Sequence, residues 1–76
     1  MITAEELFKR VEEYQRRFEY NNFWQALWAV LDTIVYYGGA FIEFNGKVYK
    51  ITTSDDAILL LLDIYDAFKN SKEVLP

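Results

Sequence analysis

Asp55, Asp56, Asp63 and Asp66 crowd the stretch SDDAILLLLDIYDAFKN, residues 54–70. Paired carboxylates are the groups in this chain best suited to acid–base or metal chemistry. Asp56 and Asp63 stand two helical turns apart and Asp63 and Asp66 about one, spacings at which two carboxylates could share a proton or hold calcium or magnesium. The D-x-D-x-D-G pattern of a calcium loop is missing. The chain has no cysteine and no histidine, which excludes a disulfide framework, the usual zinc sites and the common nucleophile–base pairs. Ser54 and Ser71 fall at a helix cap and in a tail, and Gly38–Gly39 follows a helix instead of opening one, so no phosphate loop is formed. The sequence predicts no enzyme, no cofactor and no bound metal.

Charge narrows the partners. A net charge of −4 and a pI near 4.6 oppose direct binding to nucleic acid, whose phosphates need clustered Lys and Arg. The parts of a winged helix are present in the wrong order, with the hairpin between the second and third helices and acid on the third. MITAEELFKR lacks the basic start and apolar run of a signal peptide, and no apolar run reaches the length that spans a bilayer. The expectation is a soluble, cytoplasmic protein without membrane contact. A partner, if there is one, should be a protein with a basic surface.

The elements that position these groups are legible from caps and periodicity. Thr3 and Glu6 have capping-box spacing, with Ile2 and Leu7 placed as a hydrophobic staple, so a helix is predicted over about 3–19. Leu7, Val11, Tyr14 and Phe18 form its apolar stripe, and Glu5/Lys9, Glu6/Arg10, Glu12/Arg16 and Glu13/Arg17 mark its solvated side. Asn22 with Gln25 starts a second helix, about 22–37, ended by Gly38–Gly39 and apolar over most of its circumference. Asn45–Gly46 predicts a two-residue type I′ hairpin over about 40–52, pairing Phe44 with Lys47 and Ile42 with Tyr49. Ala40, Ile42, Phe44, Tyr49 and Ile51 then share an inner face, expected to lie on the second and third helices. Phe41, Glu43, Val48 and Lys50 share the outer face, with both ribbon edges unpaired. Thr53 and Asp56 cap a third helix, about 54–70, whose core side reads as Ala57, Ile58, Leu61, Leu62, Ile64, Tyr65 and Phe68. Residues 71–76 read as a frayed tail.

The sum is one α+β domain, helix–helix–hairpin–helix, in 76 residues. Two surfaces stand out as candidates for protein binding. On the third helix, Asp55, Asp56, Asp63 and Asp66 surround Leu59, an apolar anchor in an acidic field, although the same pattern also describes a merely solvated face. Elsewhere Phe8, Tyr20, Tyr36, Tyr37 and Phe41 have no evident core position and suit either core filling or a contact seam. The reading that follows is a non-enzymatic, acidic protein-binding module, an inhibitor or adaptor such as a phage-type anti-defence protein. The alternatives are a homodimeric or higher homo-oligomeric structural or regulatory subunit, and a designed or idealised fold without a natural ligand, suggested by the three capping boxes and the Asn–Gly turn. Against design stand the Trp- and Tyr-rich second helix and the leucine on a polar side.

Overall fold

The Thr3–Glu6 pair closes as its spacing predicts. The Glu6 amide donates to Thr3 Oγ1 at 3.2 Å and the Thr3 amide to Glu6 Oε1 at 3.5 Å. This capping box starts α1 (Ala4–Arg17) in a computed structural model that describes the backbone of residues 1–74 and the side chains of residues 1–70. Leu7 and Val11 are fully buried, and all eight charged partners of the expected i, i+4 pairs face solvent. Phe18, the last residue of the expected stripe, is instead the C-cap and is exposed. Glu19 then adopts φ 55°, and the Tyr20 amide reaches back to the Gln15 carbonyl at 3.2 Å, which turns the chain through a left-handed residue.

The second helix, α2 (Phe23–Tyr36), is capped by Asn22 Oδ1, which accepts from the Trp24 amide at 2.7 Å and the Gln25 amide at 3.4 Å. It ends on Gly38 and Gly39, whose amides donate to the Val35 and Ile34 carbonyls. Both glycines have positive φ, and a Cβ on Gly39 would lie 2.3 Å from the Ile51 carbonyl oxygen, so only glycine fits where the helix end meets the hairpin.

The hairpin strands, which follow a shorter strand at the N-terminus, have the expected register: Phe44 opposite Lys47, Ile42 opposite Tyr49 and Ala40 opposite Ile51. Asn45 and Gly46, both at positive φ, make the turn. The ribbon does not stand alone, however. A two-residue strand, β1 (Ile2–Thr3), pairs in parallel with β2 (Ala40–Phe44), Ile2 opposite Ile42, and β3 (Lys47–Ile51) lies on β2's other side. One of the two edges expected to be bare is therefore covered, by a segment too short to carry a strand pattern. The helices lying closest to the sheet are α1 and α3 (Ser54–Val74), with α2 packed against both, instead of the expected second and third helices.

The largest departure concerns α3. It starts as predicted, with Thr53 and Asp56 exchanging hydrogen bonds, and runs to Val74, past the expected end at Asn70. Residues 75 and 76 of the expected frayed tail lie outside the described residues. Its rotation differs. Ala57, Leu60 and Ile64 are buried, while Ile58 is 41% exposed, Leu59 61%, Leu62 52%, Tyr65 49% and Phe68 39%. At 100° per residue this turns the core side by roughly 75° from the expected one. Leu60, which the expected core omits, becomes its centre. Four consecutive leucines leave the apolar phase undetermined, and polar contacts with the sheet decide it. The rotation is checked by urea unfolding: Leu60→Ala should lose about 3 kcal/mol, as buried leucines do, and Leu59→Ala about 0.5 kcal/mol.

Candidate functional site

The expected acidic field is divided by the fold. Asp56 points back to the strand end, where its Oδ2 accepts from the Thr52 amide at 3.0 Å, Thr52 Oγ1 at 2.9 Å and the Thr53 amide at 3.1 Å. These donors hold its carboxyl below the usual carboxylate range, the Thr52 backbone bond contributing most. Asp63 turns to the same side and accepts the Tyr49 hydroxyl proton at 2.5 Å. Partial burial, and then the hydrogen bond and negative charge of Asp63, push the Tyr49 phenol up to about 12. Lys47 Nζ lies 5.0 Å from the same ring. Asp56 and Asp63 thus bind α3 to the hairpin and are occupied by internal partners. Asp55 and Asp66 remain exposed near Leu59, Asp66 at the edge of the groove that faces the hairpin.

What replaces the acidic field is an apolar stripe. Ile58, Leu62 and Tyr65 recur along the outward side of α3, with Leu59 beside them, Asp55 at the N-terminal end and Lys69 at the other. Tyr65 leans on α2, its ring 5.5 Å from that of Trp24. Phe68 lies 5.6 Å from Trp24 and 5.8 Å from Phe8, so the lower flank of the stripe merges with an aromatic cluster that also takes in Phe23 and Phe44. The exposed members add on the order of 500 Å² of apolar surface, large for one contiguous patch on so small a domain. The sequence showed Leu59 but hid the rest, because Ile58, Leu62 and Tyr65 read equally well as core.

The aromatic candidates separate. Phe8 is half-buried against Phe23, Phe44 and Phe68, and Tyr20 is half-buried, stacked 6.5 Å from Tyr14, so both fill the periphery of the core. Tyr36 and Tyr37 are exposed at the end of α2, their rings edge-to-face at 5.1 Å. Phe41 is exposed with Val48 on the outer sheet face, the side of the sheet away from α3. The structure therefore does not join Phe41, Tyr36 and Tyr37 to the α3 surface.

A groove of about 660 Å³ runs between α1 and α2. Arg10, Arg16, Arg17 and Glu13 rim it, and the Tyr14 hydroxyl sits 3.1 Å from Thr33 Oγ1 within it. Thr33 spends its own proton on the Ala29 carbonyl, which leaves Tyr14 as the donor. Three arginines and one glutamate give this groove a net positive rim. Among the described residues no three carboxylates converge to hold a metal ion, and no helix is long and apolar enough to cross a membrane.

Fold and surface together define a small α+β domain with one long, partly unpacked helix. Comparison with protein-family models, with curated proteins and with solved structures finds no match to this chain.

The Tyr49–Asp63 bond has a pH signature. A phenol raised in the folded state favours folding fully below its unfolded pKa near 10, and that contribution fades as pH rises through about 12. In a spectrophotometric titration of the six tyrosines, one should ionise late, and Asp63→Asn should move it towards the others. Titration of all tyrosines together in the unmutated protein would contradict the bond.

Proposed function

We propose that this chain is a non-enzymatic protein-binding module whose contact surface is the outward face of α3. One observation carries the reading: Ile58, Leu59, Leu62 and Tyr65 stand exposed in a row on a helix whose opposite side is fully packed. Side chains of this kind gain about 25 cal/mol per Å² when covered, and soluble domains seldom leave so many together unless a partner covers them. A non-enzymatic role is supported by the absence of His and Cys and by the commitment of Asp56 and Asp63 to structural hydrogen bonds. The missing cysteines are compatible with a reducing compartment such as the cytoplasm.

Asp55 and Asp66 at the margin of the stripe, with a net charge of −4, suit a partner that brings basic groups to the rim. An inhibitor or adaptor docking on a basic protein surface, including an anti-defence protein acting on a nucleic-acid-handling enzyme, would use such a surface. That narrower role draws its support from charge and size.

The test is photo-crosslinking in the cells that make the protein. A benzoylphenylalanine in place of Leu59 should form covalent adducts with polypeptide, whether another chain or a second copy. The same group in place of Glu12, on the charged side of α1, should form few. Equal capture at both positions, or none at Leu59, would overturn the reading.

A further inference from the structure

Building on that reading of the surface, we infer that the partner seated on α3 is a second copy of this chain, docked antiparallel across a two-fold axis beside Leu62. Asp55, Ile58, Leu62, Tyr65 and Lys69 recur at alternating spacings of three and four, the seam that lets one helix lie along another at a shallow angle. This seam is exposed along its length, and its residues are ordered by charge: acid first, three apolar residues, then base.

That order is self-complementary in one direction only. Leu62 lies midway, and Asp55 and Lys69 each stand seven residues from it, about 10 Å along the helix. An antiparallel copy therefore sets Asp55 opposite Lys69 of the second chain, twice by symmetry, with Leu62 against its own counterpart on the axis. A parallel copy would set Asp55 against Asp55 and Lys69 against Lys69. Asp66, nearer the axis, stands about 12 Å along the seam from its own counterpart, beyond the roughly 8 Å screening length at physiological salt. It does stand about 4.5 Å along the seam from Asp55 of the second chain, so Lys69, level with that Asp55, offsets a like charge as well as forming the pair. The basic rim that the acidic margin calls for is thus supplied by Lys69 itself. Ile58, Leu62 and Tyr65, with Leu59 at the margin, offer on the order of 400 Å² per copy, about half of the ~800 Å² per partner of a standard interface, and the polar margins add to it.

The experiment is sedimentation of the full chain over a hundredfold concentration range, with circular dichroism to confirm that each variant folds. The wild type should reach a dimer. Leu62→Glu, at a position already half-exposed, should keep the fold and raise the dimer dissociation constant at least about 100-fold. Asp55→Lys and Lys69→Asp should each weaken the dimer about 10-fold, and the double exchange should return it to within about threefold of the wild type. A dimer that ignores Leu62→Glu, a stronger dimer in Asp55→Lys, or no recovery in the double variant would each overturn the inference. A monomer at every concentration would overturn it too; cross-links from Leu59 to another polypeptide would then leave the binding surface standing, whereas none would remove both.

Discussion

One carboxylate sets the phase on which the rest of this molecule depends. Asp56 gathers both donors of Thr52 and the amide of Thr53, so the first turn of α3 is fixed to the last residues of the hairpin before any leucine is placed. Two turns on, the Tyr49 hydroxyl holds Asp63 to the same strand. A helix pinned at two points along one side cannot rotate, and Leu60 and Ile64 are directed inward while Leu59 and Leu62 are directed out. Hydrophobicity alone has no preference among four adjacent leucines, and a few charge-assisted hydrogen bonds on one side of the helix are enough to choose.

The core itself is small, and aromatic rings extend it. Phe8, Phe23, Phe44, Trp24 and Phe68 meet with centroids between 5.2 and 6.2 Å, mostly tilted or edge-to-face. Each such pair adds about 0.5–1.5 kcal/mol beyond the area it buries. In a chain without disulfides, where size limits burial, this cluster takes the place of a covalent or metal staple. It also ties the C-terminal half of α3 to α1 and α2 through Phe68 and Tyr65.

Local chemistry was readable wherever a residue's own backbone was at stake. Thr3 with Glu6, Thr53 with Asp56, and Asn45–Gly46 each name a specific hydrogen bond or φ, and the structure has them all. The hairpin register followed from the turn alone. What the sequence left open were choices made by distant groups. The rotation of α3 depends on Tyr49, the burial of Phe8 on Phe68, and the pairing of Ile2 on a strand beginning at Ala40. Glu19 in a left-handed conformation gave no signal either, since glycine or asparagine would be the expected residue there. For the candidate surface, Leu59 was legible as an anomaly among aspartates. The stripe beside it was not, because an exposed apolar residue and a core residue are written with the same letters.

The parallel pairing of β1 with β2 bears on the order in which the chain can assemble. The α1–α2 turn, the hairpin and the capped start of α3 join residues close in sequence, and each can form without the others. Ile2 and Ile42 are about 40 residues apart, and closing so long a loop costs conformational entropy that only a two-residue strand is there to offset. Loop-closure entropy therefore favours pairing of β1 after α1 has packed on α2 and β2, which shortens the loop left to close. The outer edge of β2 is bare whenever β1 is away, so the few N-terminal residues act as a reversible guard on a sheet edge that could otherwise recruit another chain.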